Sequence, residues 1–470
     1  MRRPPARAID AGVVLSFVVY AVVAWWPTRN LPYFWDAAGF IIVAARDMAR
    51  DGFLPFVPTH EYYAHPPLFI ALVASAWRVF GDSRVVAHAV VLPFLPLAMT
   101  GAYALGVRFH GRLVGFVAAT LFGATAATLC ELGQVYFDLP VAALATCALA
   151  AWVLEWPLLS GFLFALAAWT KIPAATVPLG LAVLLAIDPA RRHDRRAWLG
   201  VAFPIAATCA WFVYHHAIAG WWLAGASQPQ WVPTGADAIA VRAVRFTRIF
   251  FFDRWRWLLF AIAIAASIVL RRRGERVFPR EVLPLATCIA GGAALFIAST
   301  FMPRYALFMF PAYYVASLVL ARRALRSDRW FAALGVALLA LFVRTWHPRI
   351  PLTSSLEVAP NNDLSYFDMI RIGRAAAAYV ETEHGGAMIY GGFHERYQLG
   401  EPWQGYVERP LDVHPCYAFI RSRTEQLLYI HGYEPEQEAC HLVAEKTGAR
   451  AIKRFESNGK WIEVWRVPTP

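Results

Sequence analysis

Apolar runs close to the length needed to cross a bilayer recur from Val13 to Val343, and this repetition restricts the chain more than any other feature. In hydrocarbon every backbone N–H and C=O must be paired within the chain, which leaves only helices or closed barrels. Continuous runs of this length select helices. Composition agrees. Of 470 residues, 59% are hydrophobic and 16% charged, where soluble domains carry about 25% charge. The chain reads as a polytopic all-α membrane protein. Its formal charge of +12 is a topology signal, and no nucleic-acid partner is expected of a chain this apolar.

Arginine clusters mark the expected cytoplasmic side: RRPPAR at the start, RFHGR at 108–112, RRHDRR at 191–196, RRRGER at 271–276 and RRALRSDR at 322–329. Spans are predicted at 12–26, 85–107, 113–130, 139–155, 157–172, 173–187, 197–218, 256–270, 281–300, 305–321 and 330–346. With these eleven, all five clusters lie inside, the N-terminus is cytoplasmic and the tail is extracytoplasmic. Segment 66–80 begins with Pro-Pro and carries Arg78. Counting it as a span would reverse every later loop, so it reads as a juxtamembrane or re-entrant helix. No small-residue cleavage site follows the first run, which predicts a retained anchor in the inner membrane.

From residue 347 acidic residues outnumber basic ones. Strand-like AMIYGG and WIEVWRV, a helical IRIGRAAAAYVETEHG and a turn at SNGK predict a small α/β domain at 347–470, after a transmembrane module at 1–346. Cys416 and Cys440 are the cysteines of that tail. They pair if the compartment is oxidising and stay thiols if it is not. Cys130, Cys147, Cys209 and Cys288 fall in predicted spans, as small hydrophobes. Zinc-type cysteine spacing is absent and no metal site is singled out, which leaves metal dependence open.

The outer face then holds a long first loop (27–84), turns at Asp138, Lys171 and Arg304, and a loop at 219–255. Asp36 is placed to take a proton as a general base, or to cap the helical run AAGFIIVAARDM behind it. Asp138, in GQVYFDLPVAAL, has the same two readings. Lys171 in AAWTKIPAA and Arg304 in TFMPRYALF sit at helix ends within apolar sequence. They either grip a phosphate or snorkel to lipid headgroups. His65, before Pro66-Pro67, is a phosphate donor or a structural histidine. Arg242, Arg245 and Arg248 recur every third residue and anchor on headgroups or guide an acidic lipid. Glu61, in EYYAHPPL, belongs with them as a candidate for acceptor or headgroup guidance.

The order of AARDMARDG, aromatic-HPPL, YFDLP, WTKIP and PRYALFMFP resembles bacterial membrane glycosyltransferases of the GT-C type. The nearest group is similar to the dolichyl-phosphate-mannose–protein mannosyltransferase family and its bacterial relatives, which include the aminoarabinose transferase of lipid A. The resemblance covers roughly residues 10–345. It implies a polyprenyl-phosphate sugar donor, a lipid, glycan or protein acceptor on the outer face, inversion at the anomeric carbon, and no nucleotide donor or redox cofactor. By position it implies catalytic roles for Asp36 and Asp138. It implies donor-phosphate roles for Lys171, Arg304, Tyr305 and His65. Two departures stand out: Ala37 follows Asp36 where relatives often carry Asp-Glu, and His65 replaces a common lysine. A flippase for lipid-linked sugars and a non-catalytic envelope-assembly protein are the other readings.

Overall fold

The computed structural model describes residues 6–51, 65–220, 222, 235–277, 280–299, 302–346, 364–392, 394–432 and 438–469. The expected boundary at 347 and Glu61 both lie outside the described residues. Helices α1 (Ala6–Trp25), α2 (Ile42–Asp51), α3 (Leu68–Phe80), α4 (Arg84–Val91) and α5 (Phe94–His110) open the chain. Next come α6 (Arg112–Ala124), α7 (Ala126–Leu132), α8 (Asp138–Val153), α9 (Pro157–Thr170), α10 (Thr176–Ile187) and α11 (Arg195–Ala219). The bundle closes with α12 (Ala236–Thr247), α13 (Arg256–Arg272), α14 (Leu283–Ala298), α15 (Phe310–Leu325) and α16 (Asp328–Arg344).

Each expected span coincides with helix, and 66–80 is the separate short helix α3. Among the described residues, five helical stretches are long and apolar enough to cross a membrane alone, six if the bent pair α6–α7 counts as one, against the eleven expected. For three of the helices the difference has a physical origin. Apolar helices Asp138–Val153, Pro157–Thr170 and Ile172–Ile187 stop at Asp138 and Lys171, where charged side chains gather in the interior. Backbone can break at such a place because protein groups, not lipid, surround it. Helix α8 is buried along nearly its whole length and forms the centre of the bundle.

Local signals set several ends. Asp194 caps α11 by accepting from the N–H groups of Arg196 and Ala197, and Ser83 caps α4 through Val86. Close approach sets the α5–α6 contact, where a methyl on Gly106 would overlap the backbone of Gly115. Small residues of this kind let helix backbones meet in a bilayer.

The C-terminal unit contains α17 (Tyr366–Glu383), β1 (Met388–Gly391), α18 (Glu395–Gly400), β2 (Asp412–Pro415), β3 (Gln426–His431), α19 (Glu438–Thr447), β4 (Arg450–Ser457) and β5 (Lys460–Val467). Its sheet runs β2-β1-β3-β5-β4. Strand β1 is parallel to both β2 and β3, and β5 is antiparallel to β3 and β4. The SNGK turn is the β4–β5 hairpin, with Asn458 and Gly459 both at positive φ (52° and 75°). Cys416 and Cys440 form a disulfide joining the end of β2 to α19.

Candidate active site

Four charged residues from distant parts of the chain meet where the central helices break. Asp138 opens α8, and Lys171 lies in the extended turn between α9 and a 3-10 segment, Ile172–Ala175. Arg304 sits in a 3-10 stretch, Pro303–Met309, ahead of α15. Asp36 comes from the first loop, at the start of a π-helical turn, Ala37–Ile41. The Lys171 ammonium donates to Asp138 Oδ1 at 2.7 Å. Arg304 Nε lies 3.4 Å from Asp138 Oδ2, and Arg304 Nη2 donates to Asp36 Oδ2. A continuous chain of alternating charge results, Lys171–Asp138–Arg304–Asp36.

Burial separates the members. Side-chain exposure is 6% for Lys171 and for Asp138, 3% for Arg304 and 21% for Asp36. Snorkelling is excluded for both cations, whose charged ends point into protein. Capping is excluded for Asp36, whose side chain makes no cap hydrogen bond, and Asp138 caps nothing, since α8 begins on it. Aromatic faces hold the cations. Lys171 Nζ lies 3.7 Å from the centre of the Tyr305 ring, and the Arg304 guanidinium lies 4.9 Å from that of Tyr136. Trp35 precedes Asp36 with φ 48°, a costly conformation for a bulky residue that turns the next side chain inward. The Tyr136 hydroxyl fastens this loop through Phe34 O at 2.8 Å.

His65 packs beside the cluster against Phe137 and Phe40, at ring-centroid distances of 5.0 and 5.9 Å. Burial, reinforced by Lys171 and Arg304, pushes its imidazole down to about 3. It is therefore neutral near pH 7 and adds no cation to the cluster. Arg242, Arg245 and Arg248 lie elsewhere, on α12 and the π-helical turn after it, half-buried or exposed beside the exposed Val241 and Val244.

Glu131 escaped the sequence reading. It sits at the end of α7, fully buried, within electrostatic range of Asp138, Arg304, Lys171 and Asp36. Neither of its carboxyl oxygens has a hydrogen-bond partner among the described residues. A signal for it existed, because it is an acidic residue at the end of an apolar run, seven positions before Asp138. Arg304 Nη1 also lacks a hydrogen-bond partner among the described residues, leaving a buried donor for an anionic oxygen. A separate cleft of about 410 Å³, lined by Arg108, Trp152, Asp188, Arg191 and Arg280, lies at the far ends of α8 and α10 and shares no residue with the cluster.

The fold resembles that of solved structures over nearly the whole chain. ArnT from Cupriavidus metallidurans bound to undecaprenyl phosphate superposes with a TM-score of 0.56, covering 96% of this chain and 98% of that one at 16% identity. The chain has the ArnT fold. Apo ArnT from the same organism gives the same TM-score and identity, with coverage of 97% and 98%. An archaeal oligosaccharyltransferase from Archaeoglobus fulgidus matches at a TM-score of 0.46 and 12% identity, over 88% of this chain and 62% of that one. No protein-family profile matches the sequence, and no curated protein is similar to it in sequence. The ArnT fold upholds the GT-C resemblance and includes the C-terminal unit, which the motifs of residues 10–345 did not reach.

Proposed function

We propose that the chain is an integral-membrane glycosyltransferase that moves a sugar from a polyprenyl-phosphate donor to an acceptor on the outer face of the cytoplasmic membrane. The carrying observation is the buried charge chain ending on Asp36, its most exposed member. The ArnT fold supports the reading, as does the capture of ArnT with undecaprenyl phosphate. The transmembrane module, 1–346, supplies the chemistry, and the C-terminal domain, 347–470, lies outside with its Cys416–Cys440 disulfide, as suits an oxidising compartment.

In this reading the donor phosphate takes the open Arg304 Nη1 and competes with Asp36 for the guanidinium. Donor binding thereby loosens Asp36, which accepts the proton of the acceptor hydroxyl or amine. The acceptor atom bonds to the anomeric carbon, the bond from that carbon to the phosphate oxygen breaks, and its electron pair stays on the phosphate. The leaving group gains one negative charge, which Arg304 and Lys171 stabilise, and configuration inverts. Tyr305 acts by seating Lys171, while Arg242, Arg245 and Arg248 meet headgroups. Glu61 is assigned to acceptor or headgroup guidance from its place in the sequence alone. A binding-only role is the second reading, favoured by the neutral His65 and by cations already paired with carboxylates.

Proteoliposomes given labelled undecaprenyl-phosphate sugar and an envelope extract as acceptor test the proposal. Release of undecaprenyl phosphate with label on the acceptor supports it. Leaflet movement without cleavage means a flippase, and donor binding without either means a binding protein.

A further inference from the structure

Away from the charge chain, the C-terminal unit buries two imidazoles against one carboxylate. His394, Glu395 and His431 are 2%, 0% and 1% exposed. Glu395 Oε1 lies 3.0 Å from His394 Nε2 and 2.9 Å from His431 Nε2, and one ligand atom from each residue falls within 4.8 Å of the others. Ligands bonded to one tetrahedral zinc at about 2.0–2.1 Å stand about 3.3 Å apart, so modest adjustment brings all three onto one ion. No Lys or Arg forms an ion pair with Glu395 among the described residues, although a carboxylate this deep needs compensating charge.

The position in the sheet points the same way. Glu395 and His394 follow the carboxyl end of β1, and His431 ends its parallel neighbour β3. From β1 the chain passes to β2 on one side, while β3 lies on the other. Open α/β sheets place their ligands at such a switch point. Gly391 ends β1 beside the Glu395 side chain, and a methyl there would crowd the glutamate Cβ at 2.9 Å.

We propose that His394, Glu395 and His431 bind a divalent transition ion of the zinc class. Two imidazoles and a carboxylate suit such borderline ions and leave one tetrahedral position open. The site braces the loop that carries Asp36. The Trp35 ring stacks on His394 (6.3 Å, 27°), and the Gln404 amide, just beyond α18, donates to Ala38 O at 3.0 Å. The ion enters as the unit folds, because the assembled site is closed.

The test is metal analysis of the full chain, without a polyhistidine tag, purified in detergent from cells grown with zinc or with cobalt. One ion per chain is expected in the native protein, together with the visible bands of four-coordinate cobalt, and Glu395→Gln and His431→Ala should lose both. X-ray absorption on the native zinc protein decides the matter even where a variant misfolds, with two imidazoles and a carboxylate expected around the ion. A metal-free native protein, unchanged metal content in both variants, or a sulfur-containing shell would overturn the site. Metal content is read without turnover, so failure here stays distinct from failure of the glycosyltransferase reading.

Discussion

The Lys171 ammonium and the Asp138 carboxylate are 2.7 Å apart, with both side chains only 6% exposed. Removing either partner leaves a buried charge, which costs about 3–5 kcal/mol. Lys171→Ala and Asp138→Ala should therefore each destabilise the protein to that extent. The double variant should recover part of the loss, as read by chemical unfolding in detergent. Full additivity would mean that the two do not interact.

Asp36→Asn should cut turnover about a hundredfold to ten-thousandfold, as loss of a general base does. Its stability loss should be smaller than that of Asp138→Ala, because the carboxylate paired with buried Arg304 is removed but Asp36 itself is 21% exposed. Because Asp36 makes no cap hydrogen bond, Asp36→Ala should show the same kinetic loss without an added helix-capping defect. Measured transfer rates and melting curves for both variants check this. Near-normal turnover by Asp36→Asn would move the base role to another residue.

His65 is held neutral by burial and by the neighbouring cations, with its folded value at about 3 and its unfolded value near about 6.5. Below the unfolded value the unfolded chain binds a proton that the folded chain refuses. Stability from this group is thus present above about pH 6.5 and is lost as pH falls toward 3, by about 1.4 kcal/mol per unit. His65→Gln should flatten that part of the stability–pH curve between pH 6 and 4, measured by unfolding at fixed temperature. An unchanged slope would show that His65 protonates readily in the folded protein.

Cys416 and Cys440 close a loop with a sequence separation of 24. Replacing both by Ala should cost the C-terminal unit about 3 kcal/mol by the chain-entropy account. Hydrogen exchange should report that loss in β2 and α19, with the helix bundle unaffected. Equal exchange across the whole chain would mean that the two units unfold as one.

Periodicity and charge made the fold readable. Apolar runs located the helices of the expected spans, while α2 and α12 fell in expected outer loops, and the alternating WIEVWRV run and SNGK turn located β5 and its hairpin. The number of crossings was less readable, because α8, α9 and α10 are short for a bilayer and are broken by interior charges. Asp36, Asp138, Lys171 and Arg304 stood out because each charge interrupts apolar sequence. Their pairing was hidden, since Asp36 and Arg304 are 268 residues apart. Glu131 lies one position past the expected span 113–130 and carries no motif of its own. His394, Glu395 and His431 left no motif, because 35 positions and a strand crossing separate the glutamate from the second histidine.

The hydrogen bonds at Gln404 run in both directions. Its amide donates to Ala38 O, and its carbonyl accepts from Tyr33 N–H at 3.2 Å. The backbone of the Asp36 loop therefore borrows its satisfaction from sequence more than 360 residues downstream. Bundle and tail are not interchangeable modules. A chimera that grafted a foreign tail onto this bundle would strand two backbone groups beside Asp36, unless residues 31–41 travelled with it.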